Sequence, residues 1–504
     1  MPDTPSFVRL SPRDNVVTAT RALPAGHPVE AVRTTGLVPS GHKIATAPIP
    51  SGTQVLKYAQ MIGLAAADIA PGDHVHTHNL AFVPTDHAYA FGTDHRAPPA
   101  PAGRDTFMGY RRADGRVGTR NYVAIVTSVN CSATAARRIA DAFGPEELAA
   151  YPNVDGVAAF VHGTGCGMAG DGDGFEALQR VMWGYARHPN HAAVLMVGLG
   201  CEINQIDWLL DAYGLKQGPA FQVMNIQNVA GLRRTVEMGI EKVRAMLPVA
   251  NEARREPCPA ADLTVALQCG GSDAWSGVTA NPALGHACDL LVAQGGSGLL
   301  AETPEIYGAE HLLTARAATE AVGRRLIERV EWWKDYTARN RGSMDNNPSP
   351  GNKKGGLTTI LEKSLGAAAK GGTTPLTGVY RYGEPVTAKG FGFMDSPGYD
   401  PASVTGQIAS GCNLVCFTTG RGSAFGSKPA PTIKVASNAE LFARMPEDMD
   451  IGTGDILTGG ATVESKGREI YEAFLRVASG EATKSEAQGL GDHEFVPWQI
   501  GAVM

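Results

Sequence analysis

Apolar runs that end in glycine and a thiol recur along the chain. YVAIVTSVNCS leads to Cys131, GVAAFVHGTGCG to Cys166, VLMVGLGCE to Cys201 and LTVALQCGGSD to Cys269. Short runs of Val, Ala, Leu, Ile and Phe bounded by Gly predict strands buried on both faces. The first three cysteines lie 35 residues apart and then 35 again, the length of one strand plus its crossover helix. Helical patterns fill the gaps, as in SATAARRIADAF and FEALQRVMWGYARH. Parallel strands joined this way share a carboxyl rim, where open α/β sheets bind ligands. The four thiols are therefore expected to be neighbours in space.

The rest of the pattern divides the chain. Over residues 1–91, short apolar pieces are broken by PAG, PSG and PGD turns, which predicts a small β domain. A Pro/Ala-rich linker at 92–106 follows, then a middle α/β domain over 107–255. The charged, proline-bearing NEARREPCPAAD marks the next boundary, and 256–504 forms a C-terminal α/β domain. This last part holds a long helical stretch at about 308–340, a polar loop NNPSPGNKKGG and late strands in LVCFTTGRG and TIKVAS. The fold class expected is multidomain α/β with an N-terminal β domain. The 35-residue rhythm is βα and not a solenoid, because the residues between the cysteines do not match.

Bulk numbers narrow the function. At 504 residues the chain is too long for one core. A net charge of -6 without a basic tract argues against nucleic acid. No apolar run reaches the length of a membrane span, and MPDTPSFVRLSPRDN has no signal-peptide pattern. Eight cysteines, four of them at strand ends, do not form a disulfide framework, so a reducing cytoplasm fits, with thiols free, buried or bound to metal.

Four constellations can carry chemistry. In GDHVHTHN, His74, His76 and His78 alternate, so on a strand they share a face and can offer nitrogen to Fe(II), Mn(II) or Zn(II). One or two are expected as ligands; the plain alternative is a polar strand face. In GHK, His42 beside Lys43 is a candidate base or carboxylate binder, or a surface dipeptide. The thiol rim brings Cys166 with His162 four residues before it, Cys201 beside Glu202, and Cys269 ahead of GGSD with Asp273. Several thiolates suit iron, as a single ion or an iron–sulfur cluster; the rival is cysteine as a small buried hydrophobe. Finally, Asn347, Ser349, Asn352, Lys353 and Lys354 of NNPSPGNKKGG, with Thr418, Thr419 and Arg421 of FTTGRG, suit an anionic, hydroxyl-rich ligand. Neither loop has the GKS/T element of a nucleotide-phosphate loop.

GHKIA, KYAQMIG, GDHVHTHN, GYRRADGRVGTRN, HGTGCG, GLGCE, CGGSDAWSGVTANP, NPSPGNKKGG, EKSLG and FTTGRG together resemble the altronate/galactarate dehydratase family of sugar-acid hydro-lyases along nearly the whole chain. The resemblance implies a β-clip (SAF-like) domain, a linker, a middle α/β domain and a Rossmann-like C-terminal domain. It also implies a divalent metal, usually ferrous iron with manganese or a cluster as alternatives, and a homodimer. HVHTHN looks like the altronate branch. Galactarate dehydratase and sulfolactate lyase are the enzymatic alternatives, and a sugar-acid binding protein is the non-enzymatic one. Dehydrating an aldonate needs a metal, a base, an acid and cations for the carboxylate. The assignment expected is metal on His74, His76, Cys166, Cys201, Cys269 and Glu302, with Asp273 and Glu302 ligating metal or orienting a base. His42 or Lys353 is the expected base and His162 the acid. Lys43, Arg421, Asn347, Ser349, Asn352 and Thr419 are expected on the substrate. Whether the β domain and the sheet rim form one site is left open at this stage.

Overall fold

The computed structural model describes residues 5–84, 87–94, 96–98, 100–101 and 103–503. The N-terminal part is all β. Phe7–Val8, Val16–Ala19, Lys43–Ala45 and His74–Val75 form one antiparallel sheet, and Gln54–Lys57, Gln60–Ala65 and Leu80–Ala81 another. Val16, Ala45, Val55, Ile62 and Val75 face inward between glycine-bearing turns, and they join the main core of the C-terminal region. The linker expectation at 92–106 falls partly on residues outside the described set. Its last residue already belongs to a strand, Thr106–Arg111.

That strand pairs with Val117–Gly118 on one side and with Glu256–Pro259 on the other, both antiparallel. The chain therefore enters and leaves the middle region through one ribbon. Between the two ends lies a four-stranded parallel sheet in the order Gly156–Phe160, Tyr122–Thr127, His191–Gly198, Phe221–Asn225. Val123, Ile125, Leu195 and Val197 pack on one face beneath helices Ala133–Ala140 and Leu232–Asn251. Ala124, Val126, Val194 and Met196 pack on the other, in a core that runs on to Tyr380, Val415 and Phe417 of the C-terminal region.

The C-terminal region carries a seven-stranded, wholly parallel sheet. Its order is Leu376–Tyr380, Gly390–Met394, Ser297–Leu300, Thr264–Cys269, Leu414–Thr419, Thr432–Ala436, Ile451–Gly452. Nearly every residue of these strands is buried, which is why they read as unbroken apolar runs. The expected helix at 308–340 is two helices, Glu310–Thr314 and Glu320–Arg339. Between them Ala317 bridges to Leu376, and the Thr319 side chain caps the second helix by accepting from the Val322 amide. Among the described residues no helix is long and apolar enough to cross a membrane.

The expected rim of four thiols is corrected by this topology. Cys131, Cys166 and Cys201 follow neighbouring strands of the four-stranded sheet, but Cys269 ends a strand of the seven-stranded one. The ribbon at 106–111 and 256–259 closes one sheet before the next begins, so equal sequence rhythm does not mean a shared rim.

Candidate active site

Three strands of the large sheet end side by side and aim their following loops at the β domain. Thr264–Cys269 runs into Gly270, Gly271, Ser272 and Asp273, Leu414–Thr419 into Gly420 and Arg421, and Thr432–Ala436 into Ser437 and Asn438. Asp273 ties these loops together. Its Oδ1 accepts from the Ser276 amide at 2.9 Å and from the Ser276 and Ser437 hydroxyls at 2.9 and 2.8 Å, and Oδ2 accepts from Asn438 Nδ2 at 2.9 Å. Burial raises its pKa against the pull of these bonds. Above this knot opens a cleft of about 300 Å³, lined by Ser40, Asp273, Lys354, Arg421, Asn438 and Arg444 among others. Ser40 comes from the β domain, so the β domain and the sheet rim meet in one cleft. Lys354, Arg421 and Arg444 are exposed and give it a cationic wall. A larger cavity of about 480 Å³, between Trp183, Arg187, Pro385 and Ser410, contains none of the expected site residues.

Two residues beyond Ser40 the β domain presents its histidines. His42 Nδ1 lies 2.9 Å from His74 Nε2, and the His42 ring stacks on His76 at 4.6 Å between centroids. The His78 ring lies 5.3 Å from the His74 ring, between centroids. The cluster does not arise from alternation along a strand, as expected. That strand is only His74–Val75, and a turn carries His76 back over His42. His76 Nε2 meets the Lys353 carbonyl at 2.9 Å and His42 Nε2 the Lys354 carbonyl at 3.3 Å, so the NNPSPGNKKGG loop is pinned beneath the rings. Burial, reinforced by the other rings and Lys43, lowers the pKa of His74 to about 3 and, with Lys43 and His42 acting alongside, that of His76 to about 4. Burial lowers His42 as well. All three are neutral near pH 7, the form that donates a lone pair to a metal.

On the other flank of the Gly270–Gly271 turn lies a buried charged centre. Cys269 Sγ accepts from Lys370 Nζ at 2.9 Å, and Lys370 is 3.7 Å from Glu302. Glu305 pairs with Lys363 at 2.8 Å and accepts from Asn347 Nδ2 at 2.6 Å. Ligand atoms of Cys269, Glu302 and Glu305 lie within 4.8 Å of one another. Neither Glu302 oxygen has a hydrogen-bond partner, and the residue sits at φ +71°, a left-handed backbone that costs a non-glycine residue about 1–3 kcal/mol. Burial and then Glu305 push the Glu302 carboxyl well up; the same two causes raise Asp400 to about 7. Asp400 Oδ2 stands where a Cβ on Gly270 would be, at 2.3 Å, and a Cβ on Gly271 would lie 3.5 Å from Arg421 Cβ. One glycine pair thus separates the acid of this centre from the cationic wall of the cleft.

The comparisons with known proteins agree along the chain. Residues 5–82 match the model of the altronate/galactarate dehydratase SAF domain, 109–251 the D-galactarate dehydratase/altronate hydrolase second domain, and 260–503 the D-galactarate/altronate dehydratase C-terminal domain. The altronate dehydratase of Bacillus subtilis (strain 168) is 35% identical over 491 residues, 95% of this chain and 96% of that protein. The chain belongs to the altronate/galactarate dehydratase family. Within that family, the altronate dehydratase of Escherichia coli (strain K12) is 36% identical over 95% of this chain and 96% of its own. The galactarate dehydratase (L-threo-forming) of the same strain is 37% identical over 90% of this chain and 88% of its own.

For this family member the structure gathers some expected residues and disperses others. His42, His74, His76, Lys353, Asp273 and Arg421 converge on the junction, and Cys269 and Glu302 sit in the buried centre beside it. Lys43 does not face the cleft. Its ammonium is fully buried on Glu362, at 2.8 Å, and on the Gly356 carbonyl. Ser349 and Asn352 cap each other around the short helix Pro350–Lys354, and Asn352 Nδ2 donates to the Ser272 carbonyl at 2.7 Å, so their polar groups are spent on holding the loop. Asn347 serves Glu305 and Lys363. The Thr419 hydroxyl accepts from the Gly422 amide. His162 belongs to the middle sheet: its Nε2 donates to the Thr127 carbonyl at 2.9 Å and its Nδ1 accepts from the Thr164 amide. Both ring nitrogens are occupied by backbone, which removes it as an acid at the cleft. Cys166 and Cys201 lie with it, away from Cys269. Sequence reasoning missed Glu305, Lys363, Lys370, Asp400 and Arg444. A signal existed for two of them: ILEKSLGAAAKGG is an otherwise small and apolar helix, and charges within it have no solvent face.

Proposed function

We propose that the protein is a metal-dependent carbon–oxygen lyase that dehydrates a sugar acid, altronate, to a 2-keto-3-deoxy acid. The likeness to two altronate dehydratases along 95% of the chain supports the reaction class. The observation that carries the reading is the junction cleft, with a cationic wall of Lys354, Arg421 and Arg444 and the histidine cluster joined to it through the Lys354 carbonyl.

Two groups could hold a divalent metal: the His42–His74 pair, and Cys269, Glu302 and Glu305, whose ligand atoms lie within 4.8 Å of one another. His42 Nδ1 and His74 Nε2, 2.9 Å apart, are the imidazole nitrogens that would hold it on the β-domain side. Within the trio, Cys269 and Glu305 are paired with Lys370 and Lys363, whereas both Glu302 oxygens lack a hydrogen-bond partner. Ferrous iron or manganese held by His42 and His74, with His76 beside them, would neutralise the second negative charge that builds on the substrate carboxylate when the neighbouring proton leaves. Arg421, Lys354 and Arg444 bind that carboxylate, Arg through paired donors. Ser40 offers a hydrogen bond to a hydroxyl. Lys353, on the loop pinned beneath the histidines, takes the proton. His42 is the alternative for that role. The protonated base then returns that proton to the departing hydroxyl, which leaves as water.

The test is turnover on altronate, galactarate and sulfolactate under anaerobic conditions, with 2-keto acid detection. Altronate as the best substrate, and a Lys353→Met protein that keeps its metal but loses about 100-fold in kcat, are expected. Galactarate or sulfolactate as the best substrate would move the protein to another branch. Saturable sugar-acid binding without product would make it a binding protein.

A further inference from the structure

Seven cysteines lie outside the cleft and its buried centre, and three of them are exposed: Cys131, Cys166 and Cys201. We propose that these three form a second metal centre, holding an iron–sulfur cluster of the four-iron class through three thiolates and leaving one iron open to an oxygen ligand. This does not depend on the function proposed for the cleft.

The placement comes first. The three loops follow Tyr122–Thr127, Gly156–Phe160 and His191–Gly198, which are adjacent parallel strands with the Cys131 strand in the middle. The carboxyl end of the Cys131 strand therefore lies one strand spacing, roughly 4.8 Å, from each of the other two. The loops are also fastened together. The Asn130 amide donates to the Thr164 carbonyl at 3.0 Å, and Asn130 Nδ2 to the His162 carbonyl at 3.3 Å. The Asn204 amide donates to the Gly165 carbonyl at 3.1 Å, and Asn204 Nδ2 to the Ser128 carbonyl at 3.0 Å. Gly165 has φ +98°, and a Cβ there would stand 2.3 Å from the Ser128 carbonyl oxygen, so only glycine lets the Cys166 loop close onto the Cys131 loop.

Glu202 shows that the third loop is built to present its neighbour. It is buried, and accepts from the Ser128 hydroxyl at 2.6 Å and from the Leu199 and Gly200 amides at 3.2 and 2.6 Å. The carboxylate is the tether that folds the loop back, while Cys201 stays exposed with Gln227 Nε2 3.3 Å from its sulfur. Two side-chain oxygens at this rim have no hydrogen-bond partner, Asn204 Oδ1 and Asn225 Oδ1, both buried atoms able to accept from a hydroxyl or water brought by a ligand.

Spacing argues against a single ion shared by the three thiolates. Thiolates around a single tetrahedral metal at about 2.3 Å are roughly 3.8 Å apart. Among the described residues the three thiols do not gather within 4.8 Å, whereas Cys269, Glu302 and Glu305 do. A cube of iron and sulfide is wide enough to bridge strand-spaced thiolates, and thiolate is its usual ligand. Three thiolates instead of four leave one iron without a protein sulfur, and oxygen donors such as a hydroxy acid or water suit that position.

The experiment uses the full chain, purified anaerobically and reconstituted with ferrous iron and sulfide, then assayed for iron, acid-labile sulfide, visible absorption and the paramagnetic resonance of the reduced form. Roughly four irons and four sulfides per chain are expected. Cys131→Ser, Cys166→Ser and Cys201→Ser should each lower sulfide at least tenfold, and Cys269→Ser should leave it unchanged. Alkylation of the unmutated protein gives a check that needs no variant: the three thiols should be protected when loaded and react after chelation. Iron without sulfide, full sulfide in the triple serine protein, or thiols that stay equally reactive after reconstitution would each overturn the proposal. Cleft turnover with full sulfide loss would leave the proposed function standing, and sulfide binding without turnover would leave the cluster standing.

Discussion

Glu362→Gln tests what fastens the β domain to the large sheet. Glu362 lies on the helix Ile360–Ala368 of the C-terminal region, while Lys43 and Lys57 belong to the β domain. The carboxylate accepts from Lys43 Nζ at 2.8 Å and from Lys57 Nζ at 2.9 Å, and also from the Thr358 amide and hydroxyl at 3.0 and 2.6 Å. All three charged side chains are at most 1% exposed. Burial alone would raise the Glu362 pKa, but the two ammonium groups outweigh it and hold the carboxyl far below its ordinary range. An amide at this position leaves two ammonium groups in the interior without an anion. Removing one partner of a buried pair costs about 3–5 kcal/mol, so the urea midpoint should fall sharply and the first 82 residues should become open to protease. Adding Lys57→Met removes one stranded charge, so the double variant should be more stable than the sum of the single losses predicts. A loss below about 1 kcal/mol, or strict additivity, would refute the view that this triad welds the domains. Because the folded pKa is depressed, the contribution is full above the unfolded value near 4.5 and disappears only as pH falls toward the folded one.

Further predictions concern acid, substrate and metal. His162, His188 and His191 are buried, and burial holds them neutral, with His162 at about 4, His191 at about 3 and His188 well below its ordinary value. The unfolded chain binds protons that the folded one refuses, so stability should drop between pH 6.5 and 4, by about 2 kcal/mol per histidine at pH 5. Urea unfolding against pH measures it, and a flat profile would contradict the burial. Arg421→Ala should raise KM about 10- to 100-fold with a smaller change in kcat, since a charge-assisted pair contributes about 1.5–3 kcal/mol. Unchanged KM would take Arg421 off the substrate. His74→Ala should lower the iron retained by the cleft after gel filtration without altering acid-labile sulfide; equal iron in both proteins would move the metal elsewhere.

Much of this fold was legible because parallel strands buried on both faces leave unbroken apolar runs, as Tyr122–Thr127, His191–Gly198 and Thr264–Cys269 all do. The loops that carry His42, Lys353 and Arg421 were legible from their Gly and Pro punctuation. What failed has physical causes. Strand order is set by packing of crossover helices, so the recurrent thiols could not reveal that Cys269 opens a second sheet. The turn after Val75 folds His76 back, an effect of the Asn79 side chain accepting from the His76 amide, which alternation cannot express. The buried centre draws Cys269, Glu302, Glu305, Lys363, Lys370 and Asp400 from four separate stretches, and only the folded chain shows that Lys370 meets Cys269 and Glu302 there and Lys363 meets Glu305.

The paired strands Thr106–Arg111 and Glu256–Pro259 have a consequence for how the molecule can change. Chain that departs and returns one hydrogen-bonded step apart, roughly 4.8 Å, is an excursion from the rest of the protein. Such an excursion can lengthen, shrink or alter its own ligand without shifting the anchor points of the cleft. News from the three exposed thiols would have to reach the cleft sideways, through the apolar layer that Val126 and Met196 share with Phe417, and not along the backbone.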